Sequence, residues 1–251
     1  MKKITYLLLF AFVMLISSAA MAQSDSNISK KNIIKLNLSS LVFKNISLQY
    51  ERVLSRKTSV ALGIGIMPKS GLPFAKTLKD RFGSNSDAAR AIDDTKLSNF
   101  SITPEFRFYL GKKAPKGFYI APFARYNTLK LDQMYRFTTS NNVNHVANIK
   151  GSINNFGGGL LFGAQWNLTK SLTLDWWIAG PIVGSTKGTL VGTDPQNIQP
   201  QDRANIKNDI EDVNLPGTKV TATVEQNKIT ANLSGPYYGL RAFGIVLGFK
   251  F

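Results

Sequence analysis

An alternation of period two runs to the last residue of this chain, and it constrains the fold more than any other feature. Phe251, Phe249, Leu247, Ile245 and Phe243 stand at every second position, with Lys250, Gly248, Val246, Gly244 and Ala242 between them. Successive side chains of a β-strand point to opposite faces, so such a strand carries one continuous apolar face. The pattern recurs upstream. Val60, Leu62, Ile64 and Ile66 alternate with Ala61, Gly63 and Gly65. Phe100, Ile102, Pro104, Phe106, Phe108 and Leu110 alternate with Ser101, Thr103, Glu105, Arg107 and Tyr109. Strands with lipid on one side and a filled lumen on the other carry this pattern. A soluble β-sandwich also alternates, so connection lengths must separate the two.

Five further segments fit the template less cleanly: Ile33–Phe43, Ile46–Leu54, Phe118–Phe137, Ile149–Leu168 and Leu172–Val183. With Ser59–Met67, Asn99–Leu110 and Tyr237–Phe251 they predict eight strands. The connections alternate in length. Residues 55–57, 111–117 and 169–171 are short, whereas 68–96, 138–148 and 184–234 are longer. A tight turn at Lys44-Asn45 is the exception on the long side. Short turns at one end and long loops at the other predict an all-β, eight-stranded, antiparallel, up-and-down transmembrane β-barrel. Pairing Leu110 with Phe118, and Leu168 with Leu172, sets apolar residues opposite apolar residues, as register requires. Pro104 and Pro122 cannot donate to a ladder and predict local breaks or bulges.

Location follows from the N-terminus. Lys2 and Lys3, the apolar run Leu7 to Ile16 and the small-x-small site Ala20-Met21-Ala22 read as a cleavable signal peptide over residues 1–22. The run is shorter than the roughly 20 apolar residues that a helical span needs. An exported chain with this strand pattern is expected in the outer membrane of a Gram-negative bacterium. The chain lacks cysteine, which excludes disulfides and thiolate chemistry. Its net charge of +16 is scattered rather than clustered, without a recognisable nucleic-acid-binding motif. Membrane lipid and lipopolysaccharide are therefore the expected anionic partners. The short turns hold Arg56, Lys57, Lys112, Lys113, Lys116 and Lys170.

Eight strands leave a lumen that side chains fill. Glu51, Glu105, Arg107, Arg125 and Asp175 are expected to point inward and, being buried charges, to pair in one network. Lys35 and Lys250 are expected inward near the short-turn base, and Tyr109, Phe118, Tyr119, Trp166, Trp176, Phe249 and Phe251 in aromatic girdles at the strand ends. The single histidine, His145, falls at an expected loop tip, and no G-x-S-x-G motif occurs. The expectation is a protein without catalytic residues, metal or cofactor.

The segments NISLQYERVL…SVALGIG, ITPEFRFYLG, GFYIAPFARY and GLRAFGIVLGFKF resemble small outer-membrane barrel proteins of the Bacteroidota, over most of residues 33–183 and 237–251. That resemblance implies the same barrel and location, with function largely unassigned. Phe243, Ile245, Leu247, Phe249 and Phe251 also look like the C-terminal signal read by barrel-assembly machinery.

The long connections are expected to fold. Leu72, Phe74, Leu78 and Phe82 suit a short amphipathic helix, and Ser86 is placed to cap a second at Asp87–Asp93. A helix is expected around Gln201–Asp212, and Thr218–Glu225 with Lys228–Leu233 reads as a hairpin turning at Gln226-Asn227 and continuing the last strand. Two roles follow: an anchor whose extracellular loops serve binding or envelope integrity, or a narrow channel or lateral transporter for small hydrophobic molecules. A lipid-modifying enzyme fits less well.

Overall fold

The computed structural model describes residues 30–82, 86–138, 144–194, 197–213 and 216–251. The expected signal segment lies outside the described residues, as does the middle of the connection at 139–143.

Eight strands close into an antiparallel barrel: β1 (Asn32–Asn37), β2 (Ile46–Val53), β3 (Thr58–Gly71), β4 (Lys96–Tyr109), β5 (Gly117–Thr138), β6 (Asn144–Asn167), β7 (Leu172–Ala179) and β11 (Gly244–Lys250). Each pairs with its neighbour in this order, and β11 pairs with β1 to complete the ring. The backbone of Phe251 exchanges two hydrogen bonds with Asn32, extending that last ladder to the chain end. Closure leaves no free edge around the ring, which is how an all-β fold of this kind avoids edge pairing.

The register follows the alternation. Phe108 faces Ile120 across β4–β5, and Trp166 faces Leu174 across β6–β7. Pro104 and Pro122 interrupt bridging between β4 and β5 without shifting the register. The register shifts fall elsewhere, between Met67 and Ser70 on β3 and between Phe162 and Gly163 on β6. A proline removes one donor but adds no residue, so the ladder thins there and keeps its phase.

Two segments depart from expectation. The first strand ends at Asn37, not Phe43. The Asn37 side chain accepts from the Ser40 N–H at 3.2 Å and the Ser40 hydroxyl donates to the Asn37 carbonyl at 2.7 Å, which starts helix α1 (Leu38–Leu41). Asparagine is a preferred N-cap, and this local bond overrides the apolar run behind it. The second departure lies in the stretch 184–234, where the helix and the hairpin stand as expected but a long strand is unexpected. The stretch carries most of that strand, β8 (Pro181–Thr193), the helix at Pro200–Glu211, β9 (Lys219–Val224) and the first part of β10 (Lys228–Leu240). Helices α2 (Ala75–Phe82) and α3 (Ser86–Asp94) occupy the connection after β3, so the later helix is α4.

The strand pair β7–β11 continues beyond the ring as β8–β10 in one register: Gly244 faces Trp177 and Leu240 faces Pro181. Only Arg241, Ala242 and Phe243 interrupt the outer strand, with Phe243 at φ 55. β8 also pairs with the upper part of β6, and β9 adds to β10 as the expected hairpin. The outermost strand is covered: α4 packs on β9, and Glu211 accepts the Ala222 backbone N–H at 2.7 Å. At the β6–β8 bend, Gly157 faces Gly184, and a Cβ on Gly184 would stand 2.0 Å from the Phe156 carbonyl oxygen. Only glycine permits that backbone approach.

Candidate functional site

Parity along each strand decides which side chains enter the lumen. Odd positions of β1, β2, β4 and β7 face inward, which brings Lys35, Gln49, Glu51, Glu105, Arg107, Tyr109, Thr173, Asp175 and Trp177 to the interior, all buried. Small residues on the strands between make room for them. Ala61 lies between Glu51 and Glu105, and Ser59 faces Arg107. On β6, Gly163 stands against the Tyr119 ring, and a Cβ there would meet the ring and its hydroxyl at 2.4 Å.

The centre of the lumen is one network built on Arg107. Its guanidinium donates to Asp175 Oδ2 at 2.7 Å, to Glu105 Oε1 at 2.6 Å, to Gln49 Oε1 at 2.9 Å and to Gln165 Oε1 at 3.1 Å, with Glu51 Oε2 at 3.4 Å. Lys35 sits beside it. Its ammonium reaches Glu51 Oε2 at 2.5 Å, Asp175 Oδ2 at 2.6 Å and Gln165 Oε1 at 2.9 Å. Three acceptors match the three protons of a lysine. Arg241 approaches from the break between β10 and β11 and donates to Glu105 Oε2 at 2.5 Å. Its guanidinium lies 3.7 Å from the Trp177 ring centroid, a cation–π contact.

The charges balance, and every carboxylate oxygen is bonded, while the Arg241 Nε and the Gln165 Nε2 are buried without a partner. Lys35, Arg107 and Arg241 contribute three positive charges, and Glu51, Glu105 and Asp175 three negative ones, so 3 − 3 = 0. Each carboxylate oxygen accepts at least one bond. Ser59 donates to Glu51 Oε1 at 2.5 Å, and Tyr119 donates to Asp175 Oδ1 at 2.7 Å. The Tyr109 hydroxyl lies 2.7 Å from Glu51 and 2.8 Å from Gln165 and shares one proton between them. Buried charges are costly unless paired and fully hydrogen-bonded. Here each of the six charged groups has at least one partner of opposite charge, and all six are buried.

Apolar and aromatic side chains pack around the charged network. Phe123, Leu161, Trp177, Ile182 and Val246 belong to a buried cluster that also takes in Val53, Tyr109, Ala114, Tyr119 and Ala121, with Tyr237 packed against it. Beyond the Arg125–Thr103 contact, Asn155 donates to Asn127 at 2.8 Å and Asn127 donates to Asn99.

The structure gathers Glu51, Glu105, Arg107 and Asp175 and leaves Arg125 out. Arg125 shares the inward parity but lies higher, where it donates to Thr103 Oγ1 at 3.3 Å. Parity sets the side a residue faces and says nothing of its height. Lys35 belongs to the network rather than to the base, while Lys250 does sit low and donates to Asn167 at 3.1 Å. Tyr109 and Tyr119 are lumen residues, not girdle residues, as their odd numbers on β4 and β5 require. Arg241, Gln49 and Gln165 complete the site; the two glutamines follow strand parity, whereas Arg241 sits in a break that parity does not reach. In the terminal segment, Ile245, Leu247 and Phe249 lie on the outer face of β11. Phe243, 73% exposed, lies in the break before that strand. The side chain of His145 lies outside the described residues.

Comparison with known proteins adds a family. Neither a curated protein nor a solved structure matches the chain. A family match covers residues 7–184, from before β1 into the start of β8. Strands β1 to β7 of the ring, with the lumen charges from Lys35 to Asp175, lie within that match, whereas the closing strand β11 and Arg241 lie beyond it; the chain belongs to the family described as Protein of unknown function (DUF3575).

Proposed function

We propose that this protein is an integral outer-membrane barrel of a Gram-negative bacterium, a sealed anchor that presents its upper sheet and helices to the exterior. The observation that supports it is the distribution of large apolar side chains. Ile34, Leu48, Ile64, Phe108, Phe118, Phe162, Trp176 and Leu247, one from each strand of the ring, are all exposed on the outside, while the charges lie inside. Soluble monomers rarely expose a contiguous apolar surface beyond a few hundred Å².

The height of the band fits a bilayer. On β4 the outward apolar run reaches from Leu110 to Phe100. Those ten steps cover about 34 Å of strand, or about 26 Å along the axis at a tilt of about 40°. The apolar band of outer-membrane barrels is about 25 Å tall. The short turns, rich in lysine and arginine, then face the periplasm, and β8–β10–β9 with α4 stands outside. The resemblance to small Bacteroidota barrels supports the same location. The role is display for binding or envelope integrity, without catalysis, and assembly passes through the barrel-insertion machinery that reads the terminal segment.

Lateral passage of small hydrophobic molecules is the second reading. It draws on the seam where β1 stops at Asn37 while the opposite strand continues as β10. Refolding into vesicles tests both. The anchor reading predicts that the protein floats with vesicles and passes no steady ion current across planar bilayers. A chain that stays monomeric and soluble without detergent contradicts the membrane reading, and a steady current contradicts the sealed lumen.

A further inference from the structure

The outer face of the extended sheet changes polarity in registered rows. The row Ile102, Tyr126 and Phe156 is the last that is apolar on all three of β4, β5 and β6. Above it stands Phe100, Thr128, Asn154 and Lys187, and then Ser98, Lys130, Ser152 and Thr189. The next row is Lys96, Asp132, Lys150 and Val191. The Tyr126 hydroxyl points up this gradient and donates to Asn154 at 3.2 Å. An aromatic ring in the apolar row with its hydroxyl in the polar one is the arrangement of an interfacial tyrosine.

The upper two rows line a cleft of about 410 Å³, and Lys69 reaches in from β3. The cleft holds Lys69, Lys96, Lys130 and Lys150 against the single carboxylate Asp132, so its charge is 4 − 1 = +3. Lys69 bonds Asp132 at 2.5 Å and takes up that carboxylate. The hydrogen bond from Lys69, helped by the charges of Lys69, Lys150 and Lys96, holds the Asp132 carboxyl below its ordinary range, so it stays ionised. Lys96, Lys130 and Lys150 are exposed beside the hydroxyls of Ser98, Ser152 and Thr189. Lysine ammoniums on flexible stems with neighbouring hydroxyls suit a phosphate oxyanion.

The height selects the source. Lys130 stands four residues beyond Tyr126, about 10 Å further along the axis. Headgroups extend about 5–8 Å beyond the hydrocarbon of an ordinary bilayer, and lysine stems bend back toward that layer. Given the membrane reading above, we infer that this cleft binds the phosphate groups of an outer-leaflet glycolipid whose acyl chains lie against Tyr126 and Phe156.

The test uses the mature chain refolded in neutral detergent micelles, with native mass spectrometry as readout. The probes are a bisphosphorylated acylated glucosamine disaccharide, the same lipid without phosphates, inorganic phosphate and an anionic peptide. The phosphorylated lipid should be retained and the dephosphorylated one lost. Retention should fall about a hundredfold in Lys96→Gln/Lys130→Gln/Lys150→Gln, roughly fivefold for each lysine near an anionic lipid surface. Lys112→Gln/Lys113→Gln/Lys116→Gln, at the opposite end, should bind as the parent does. Equal binding by the dephosphorylated lipid or by the cleft variant overturns the proposal. Displacement by inorganic phosphate at equal concentration, or equal binding of the peptide, also overturns it. Flotation of the same preparation with vesicles keeps the two readings apart: a floating protein indifferent to phosphate rejects the cleft alone.

Discussion

Arg107 of β4 reaches Asp175 of β7 at 2.7 Å, across three strand positions of the ring. That bond ties distant walls together, and both groups are fully buried. Replacing Arg107 with methionine leaves three carboxylates facing two cations. Breaking a buried pair from one side costs about 3–5 kcal/mol. Urea unfolding of the refolded variant should show a loss of that order. Arg107→Met/Asp175→Asn restores the balance of charge and should recover part of it. Equal stability of the single and double variants would show that charge balance plays no part.

The two inward arginines outside β4's central position should differ sharply. Arg241→Ala removes a bond to Glu105 and the stack on Trp177, and a loss of about 3 kcal/mol is expected from an orphaned buried charge. Arg125→Ala removes one bond of 3.3 Å to a hydroxyl, and about 1 kcal/mol or less is expected. Paired denaturation curves check the contrast.

Gly163→Ala places a methyl 2.4 Å from Tyr119. The ring must shift and its bond to Asp175 with it. Overpacking of this kind costs about 1–3 kcal/mol. Gly71→Ala is the control, since a Cβ there meets nothing within 4 Å, and its stability should match the parent's.

These residues show what the sequence could and could not reveal. The ring of strands, their register at Phe108–Ile120 and Trp166–Leu174, and the inward side of Glu51, Glu105, Arg107 and Asp175 all follow from period-two alternation. Height does not. Arg125 shares parity with Arg107 yet lies above the network, because shear between strands sets which inward residues meet. Residues 38–43 read as strand since their apolar run hides the Asn37 cap. β8 beyond Val183 read as loop because Ser185, Thr186, Lys187, Gly188 and Thr189 show no apolar face. Arg241 escaped notice because its break is a tertiary feature, held by the Arg241 N–H to Gly180 carbonyl bond at 2.9 Å.

A substitution at Leu247 distinguishes a lipid-facing wall from a water-facing one. Leu247 is 38% exposed at the middle of β11's outer face. In a bilayer, Leu247→Arg costs about 2–4 kcal/mol near the midplane. On a water-exposed surface the same change stays within about 0.5 kcal/mol. Folding equilibria measured in vesicles should give the larger figure.

The most direct test uses the three tryptophans. Trp166 and Trp176 are 39% and 41% exposed on the outside, and Trp177 is 5% exposed inside. Three single-tryptophan proteins, with phenylalanine at the other two positions, are refolded into vesicles whose acyl chains carry bromine. Fluorescence of Trp166 and Trp176 should be strongly quenched by the brominated chains, and that of Trp177 should be spared. Unquenched Trp166 and Trp176, or quenching of all three alike, would contradict a lipid-embedded barrel with a sealed interior.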